Sequence, residues 1–216
     1  MNARETNKEL NRQKILAAAR NLLLEGGIEA LAMRSLAARA KVSSRTPYNL
    51  FGSKTEVLLG LIDEPLYQLA AAQPPHAGNR IVPTVLAMVE HIYAQYAPDI
   101  DYYRTIYWGV MSSDNHAARE KSLSRGRRLF ETLLRGAVAQ GELRADTDPA
   151  LLGRYVMDVI AGLLGLWAAT LLSGPDLVVA IRRSMILCFL GYAAPDLLPE
   201  LTEALAQLDR KPDSAD

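Results

Sequence analysis

Residues 33–54 read MRSLAARAKVSSRTPYNLFGSK, and their pattern decides how the N-terminal part of the chain folds. Two stretches with helical spacing, 33–40 and 44–50, are separated only by Lys41-Val42-Ser43. A short link of this kind between two helices is typical of a helix-turn-helix, whose second helix enters the major groove of DNA. The spacing therefore predicts a DNA-reading helix that begins near Ser44.

The second helix carries polar groups that suit nucleic acid. Arginine can pair with guanine and asparagine with adenine, while hydroxyl groups and tyrosine contact phosphates or base edges. Lys54, at the start of the next helix, is placed to bind a phosphate beside that helix's N-terminal amides. Phe51 is expected to pack beneath the reading helix. The predicted DNA contacts are Arg34, Lys41, Ser43, Ser44, Arg45, Thr46, Tyr48, Asn49 and Lys54.

Pro47 lies inside the predicted reading helix, where proline is usually damaging. The first N–H groups of a helix have no intrahelical acceptor, so proline is harmless in the first turn and disruptive only later. We predict that Ser44 caps the helix, because Pro47 then occupies the third helical position and no hydrogen bond is lost.

Basic residues are concentrated at the N-terminal end. Residues 1–54 contain ten Lys or Arg against four Glu, a net charge of +6, whereas the whole chain has a net charge of zero. This asymmetry favours a phosphate-bearing partner for the first quarter of the chain. An ordinary solvated helix face is the alternative explanation.

Several classes of protein are disfavoured by composition. Cys188 is the single cysteine, so a disulfide framework is excluded. The first residues are polar and lack a signal core, and the apolar run 159–172 is shorter than the roughly 20 residues that span a bilayer. His76, His91 and His116 lack metal-site spacing, and no Gly-rich phosphate loop occurs. We expect a cytoplasmic protein without a cofactor, a metal or a membrane partner, and not an enzyme.

Nearly every segment has helical periodicity, and strand-type alternation bounded by turns is not seen. The expected fold is all-α, with a three-helix N-terminal head joined to a larger helical domain. The segment 73–80 is predicted to be a loop from its Pro and Gly content. Helices are predicted at about 8–25 (ended by Gly26-Gly27), 33–40, 44–50, from 53, 81–96, 100–112, 117–140, 148–172, 176–192 and 197–208.

Four spaced patterns in the head carry a family resemblance. They are Ile15-Leu16-x-Ala18-Ala19, Leu22-Leu23-x-Glu25-x-Gly27, Leu36-Ala37-x-x-Ala40-x-Val42-Ser43, and Thr46-x-Tyr48-x-x-Phe51-x-Ser53-Lys54. Over about residues 12–58 the chain resembles the DNA-binding head of the TetR family of bacterial transcription regulators. The resemblance implies a homodimer that binds a (pseudo)palindromic double-stranded DNA operator and releases it when a small-molecule effector enters the C-terminal domain. It implies a DNA-binding domain over 1–54 and a ligand-binding and dimerisation domain over 55–216.

Three positions depart from the pattern of the family. Ala32 stands where a threonine helix cap is common, a loss of about 1 kcal/mol. Lys41 stands where glycine is common; if the backbone there is left-handed, a non-glycine residue costs roughly 1 kcal/mol. Pro47 replaces a leucine-like residue. None of these departures removes a group that is predicted to contact DNA.

Aromatic residues and methionines in the middle of the chain suggest an effector site. Core packing is the simpler explanation for most of them, but tyrosine also supplies polar handles to a cavity. We place the candidate cavity between helices 81–96, 100–112 and 148–172. Because no Lys or Arg falls on its predicted positions, the expected effector is mostly apolar or aromatic. The predicted ligand contacts are Met88, His91, Tyr103, Tyr107, Trp108, Met111 and Trp167.

The helices 148–172 and 176–192 are predicted to form the dimer interface. The first is apolar on more than one side, so it must be buried on several sides, and one of its stripes consists mostly of small residues. The family resemblance implies a four-helix bundle made with the partner's copies, and the alternative is a pair of central core helices in a monomer. The predicted dimer contacts are Ala161, Gly165, Ala168, Leu172, Met185 and Phe189.

The sequence favours a ligand-responsive transcriptional regulator that acts as a repressor. Two alternatives remain from the same residues: a helical interaction protein without an operator, and an activator without small-molecule release.

Overall fold

The computed structural model describes the backbone of residues 3–72 and 80–209, and the side chains of 4–63 and 80–209. Those residues form ten α-helices, two short 3-10 turns and no strand, as the sequence predicts. The helices are α1 (Ala3–Ala30), α2 (Met33–Arg39), α3 (Thr46–Phe51), α4 (Lys54–Ala72), α5 (Ile81–Tyr96), α6 (Ile100–Met111), α7 (His116–Ala139), α8 (Pro149–Ala168), α9 (Gly174–Leu190) and α10 (Leu198–Asp209).

Helix α1 is interrupted where the glycine pair was predicted to end it. Gly26 and Gly27 have non-helical backbone angles, and Gly27 has a φ of 63°, in the left-handed region that glycine tolerates. The short segment Ile28–Ala30 after this kink is again helical. The helix also begins earlier than expected, at Ala3 instead of near Lys8.

By compactness the chain forms two units. The first contains the residues up to 67 together with 99–122, so it holds α1 to α3, most of α4, all of α6 and the first turns of α7. The second contains the remaining described residues. This grouping follows packing alone, so the functional division at residues 54 and 55 stays a prediction. The predicted loop lies outside the described residues, except for Arg80.

In the first unit, α1 packs against α2, α3 and α6. Its apolar face recurs at three- and four-residue spacing, and the side chains from it are almost fully buried, which is the expected pattern for a helix lying on a core. The buried side chains of this core include Ile15, Ala19, Leu36, Phe51, Val57, Leu58 and Ile106. Leu36 and Phe51 are therefore core residues, as predicted from the sequence.

In the second unit, α9 packs against α5, α8 and α10. Its inner face is fully buried at Met185, Ile186 and Phe189. Helix α8 approaches α7 closely at Gly153, where an added Cβ would lie 3.0 Å from the backbone nitrogen of Glu131. Glycine at this position lets the two helix backbones come together, as small residues do at close helix crossings.

Candidate nucleic-acid interface

The turn between α2 and α3 is built around Lys41, which has a φ of 54°. The N–H of Val42 donates to the carbonyl of Ala37 at 3.0 Å, and the N–H of Lys41 donates to that of Ala38 at 3.2 Å. These two bonds form the Schellman motif, which satisfies the last carbonyls of a helix and requires a left-handed residue. The sequence left open whether Lys41 has a left-handed backbone, and the structure shows that it does. Its side chain is exposed.

The predicted Ser44 cap of the reading helix is wrong. Helix α3 begins at Thr46, and the flanking residue Arg45 already has helical angles and no side-chain cap. The reason is a preceding turn: the N–H of Thr46 donates to the carbonyl of Ser43 at 2.9 Å, and the two hydroxyls share a hydrogen bond of 2.8 Å. Pro47 is then in the first turn, buried, where it removes no helical hydrogen bond.

The predicted reading surface is largely exposed. Tyr48 is 53% exposed although it is a large aromatic residue, so its ring is not part of the core. Thr46 is half-buried, and its hydroxyl shares a hydrogen bond with that of Ser43. The exposed members of the predicted set are Arg34, Lys41, Ser43, Ser44, Arg45, Tyr48 and Asn49. The helix-turn-helix therefore presents exposed cations, hydroxyls, an amide and a phenol around a buried core.

One basic residue of the head, Arg39, is paired with a carboxylate of the chain itself. The guanidinium of Arg39 donates to both carboxylate oxygens of Glu25, at 2.6 and 2.7 Å. This pairing lowers the pKa of Glu25, and the same bond raises the pKa of Arg39. A two-pronged arginine–carboxylate pair fixes geometry as well as charge. The pair links α1 to the end of α2, which holds the first helix of the motif in place.

Lys54 and Ser53 define the start of α4. The ammonium of Lys54 donates to the carbonyl of Ile28, just after the kink in α1. An ammonium has three donors, so this bond orients the group and leaves donor capacity for a phosphate. The Ser53 hydroxyl accepts from the N–H of Glu56 at 3.2 Å and from the Asn115 amide at 3.1 Å.

Sequence reasoning missed Ser53 as the helix cap. The signal was present, because a serine followed three residues later by glutamate marks the N-terminus of a helix. Asn115 could not have been found in this way, since 62 residues separate it from Ser53.

The predicted effector contacts are divided between the two compact units. In the first unit, Tyr103 is buried, Trp108 and Met111 are 54% and 42% exposed, and burial raises the pKa of Tyr107 to about 12. In the second unit, Met88 and Trp167 are buried and His91 is exposed. Neither unit contains the whole set, and the effector site stays a prediction.

The predicted dimer contacts lie partly inside the single chain. Ala168, Met185 and Phe189 are buried by the chain itself, while Ala161, Gly165 and Leu172 are half-buried. The same two helices leave other apolar side chains between 38% and 52% exposed: Leu151, Tyr155, Val159 and Leu166 on α8, and Val179 and Leu187 on α9. On α8 these residues follow one stripe at helical spacing. An added Cβ at Gly165 or Gly162, beside the stripe, would meet no atom within 4 Å.

Helix α8 is also long and apolar enough to cross a membrane, judged by length and composition only. Its most apolar window has a mean hydropathy of 1.4, and 22% of that window is buried. The exposed stripe accounts for the low buried share. Within the described part of the chain, no group of three or more His, Cys, Asp or Glu residues could hold a metal ion.

Part of the chain matches the profile of a known protein family. The profile of the family described as "Bacterial regulatory proteins, tetR family" matches residues 15–61, which span α1 to the first turns of α4. No curated protein matches the chain significantly in sequence.

Solved structures of similar fold cover most of the chain. The repressor SmeT of the Stenotrophomonas maltophilia multidrug efflux pump SmeDEF is 22% identical, with a TM-score of 0.62 over 86% of this chain and 92% of that one. FadR of Thermus thermophilus, in complex with lauroyl-CoA, is 23% identical, with a TM-score of 0.60 over 85% and 97%. TylP, a regulator from Streptomyces fradiae, is 20% identical, with a TM-score of 0.59 over 97% and 95%. At these identities the likeness shows the fold.

Proposed function

The chain is a member of the TetR family of bacterial regulatory proteins, and on that premise we propose that it is a ligand-responsive transcriptional repressor. The proposed protein is cytoplasmic, binds a palindromic operator as a homodimer and leaves it when a small, mostly apolar effector binds. It is a DNA-binding regulator and not an enzyme. The proposed DNA-binding domain is 1–54, and 55–216 is the ligand-binding and dimerisation domain.

The observation that carries this proposal is the exposed face of α3 and its preceding turn. Arg45, Tyr48 and Asn49 are exposed, although Pro47 and Phe51 of the same short segment are buried. A helix that buries one side and offers arginine and asparagine on the other has the groups that read guanine and adenine. Lys41 and Lys54 flank this face and are suited to phosphates, which set register and affinity.

The exposed stripe on α8 and α9 supports the homodimer. Apolar side chains that are half exposed over several turns are typical of a protein interface. A two-fold dimer buries the same patch on both copies. Two heads related by such a two-fold axis would meet successive major grooves at a spacing of roughly 34–36 Å. Because the two heads are identical, the two half-sites of the operator form a palindrome.

An apolar effector is supported by two observations. No lysine or arginine falls on the predicted contact positions. Similar structures include the FadR proteins, in complex with lauroyl-CoA and stearoyl-CoA, and the repressor of a multidrug efflux pump. We therefore propose that the effector of this chain has an apolar part, as those ligands do. Its predicted contacts are the residues named above on α5, α6 and α8.

Selection of bound duplexes from a random pool tests the proposal. We expect the wild-type protein to select a palindrome, and Arg45→Ala to bind it about fivefold to 150-fold more weakly, since a bidentate contact to guanine is worth about 1–3 kcal/mol. The matched control is Arg135→Ala, which removes an exposed arginine paired with Glu131 on α7. Selection of no duplex would favour the helical interaction protein instead. A reporter gene distinguishes repression from activation.

A further inference from the structure

Arg183 occupies the middle of the exposed stripe on α9. It lies four residues after Val179 and four before Leu187, so the three side chains share one side of the helix. The two apolar neighbours are 39% and 52% exposed, and the side chain of Arg183 is 42% exposed. A charged group therefore lies between apolar side chains that are proposed to meet a second copy of the chain.

The guanidinium of Arg183 is held by the last turn of α10. Its Nη2 lies 2.5 Å from a carboxylate oxygen of Asp209 and 3.4 Å from the carbonyl oxygen of Leu208. A cation is favourable at this end of a helix, because the last carbonyls have no intrahelical donors. The Nε of Arg183 is buried and has no acceptor among the described residues. The charge of Arg183 therefore depends on Asp209 for compensation.

The other arginines of α8 and α9 are matched in the same way. The Nε of Arg154 lies 3.6 Å from the carboxylate of Asp158, one turn further along α8. The guanidinium of Arg182 lies 2.9 Å from the carboxylate of Glu90 on α5. Neither α8 nor α9 contains a lysine. Every basic side chain of these two helices therefore has a carboxylate partner within the chain.

Such matching is what a two-fold interface requires. A two-fold dimer buries the same patch on both copies, so a residue near the axis lies close to its own copy. A cation without a partner would then face an identical cation, and both would lose contact with water. The pairs within the chain remove this repulsion, which favours a second copy of this chain as the occupant of the face.

We propose that Asp209 is a positioning residue of the dimer, because its carboxylate neutralises Arg183 and lets the stripe of α9 pack on a second copy. This inference rests on the proposed homodimer and adds α10 to the elements that control it. The role is one of charge, so it should respond to salt and to the presence of Arg183, unlike the contribution of Leu187.

Sedimentation equilibrium on the full chain tests the proposal, with the dimer dissociation constant as the readout. We expect Asp209→Ala to raise this constant at least about tenfold, because each dimer then holds two guanidinium groups without a carboxylate. A higher salt concentration should narrow the difference from the wild type, since counterions screen the repulsion between the two cations. Combining Arg183→Met with Asp209→Ala should return the constant to within about threefold of the wild type, because no unpaired charge is left.

Asp146→Ala is the matched control. It also removes the carboxylate of an exposed arginine pair, since Asp146 lies 3.2 Å from the Nε of Arg144. That pair lies in the connection between α7 and α8 and not on the stripe of α9. The control should keep the wild-type dissociation constant at every salt concentration.

Two results would overturn the proposal while the dimer itself stands. One is an Asp209→Ala protein with the dissociation constant of the wild type. The other is a weakening that Arg183→Met does not relieve, because Asp209 would then act through the packing of α10 and not through the charge of Arg183. A wild-type chain that is monomeric at every concentration would contradict the homodimer of the proposed function, and this inference with it.

Discussion

Replacing Leu187 by alanine should weaken the proposed dimer by a predictable amount. The residue lies on α9 and is 52% exposed in the single chain. Full burial of a leucine side chain is worth about 1.5–3 kcal/mol, so the exposed half still has about 1 kcal/mol to gain at an interface. A two-fold dimer contains the residue twice, which gives about 2 kcal/mol, or about thirtyfold in the dimer dissociation constant.

Sedimentation equilibrium over a dilution series measures this constant for the wild type and the variant. The control is Leu24→Ala, because Leu24 on α1 is 58% exposed and lies outside the proposed interface. It should leave the dissociation constant unchanged. An unchanged constant in Leu187→Ala, or an equal weakening in both variants, would contradict the interface. Leu187→Arg extends the range if the dimer is too tight, since two buried charges oppose association.

Three further changes test local features of the structure. Lys41→Gly should raise the free energy of unfolding by about 0.5–1 kcal/mol in a urea titration, because it removes left-handed strain, and it should also weaken DNA binding by removing a cation. Gly153→Ala should lower the free energy of unfolding by about 1–2 kcal/mol, because the added methyl group meets backbone atoms that cannot rotate away. The gain in helix propensity offsets only part of this cost. A stabilised variant would contradict the close approach of α7 and α8. Lys54→Ala should weaken binding to all duplexes similarly and flatten the salt slope by about one unit, whereas a slope equal to that of the wild type would exclude a phosphate contact.

Much of the fold was predictable because the helices carry their own boundary signals. Glycines marked the kink of α1, and α5, predicted over 81–96, is found at Ile81–Tyr96. These features depend on residues that are close in the sequence, so local spacing is sufficient to find them.

The start of α3 was not predictable by the same means. A serine before a helix is a common cap, but Ser43 uses its carbonyl and hydroxyl in a turn with Thr46, and Ser44 is left outside the helix. Two local patterns compete here, a helix capped by Ser44 and a turn that joins Ser43 to Thr46. Their relative stability depends on how the turn packs. Spacing alone does not decide between them.

The exposed face of α8 and α9 was also beyond the sequence. A helix that is apolar on several sides carries no periodic signal for which side faces the chain's own core. The small-residue stripe through Ala161 and Ala168 suggested one interface, whereas the structure buries Ala168 and leaves Tyr155 half exposed. The orientation of α8 is set by its packing on α9 and by its close approach to α7 at Gly153.

The central claim is that α3 reads DNA bases, and a base-by-base affinity profile of Asn49→Ala tests it most directly. The selected duplex is substituted at one base pair at a time, and the dissociation constants of the wild type and the variant are measured for each duplex. The wild type should lose about 1–3 kcal/mol at the adenine that Asn49 contacts, in each half-site, and the variant should be indifferent at those positions alone. Identical profiles for the two proteins would contradict the assignment of α3 as the reading helix, as would a loss spread evenly over every position.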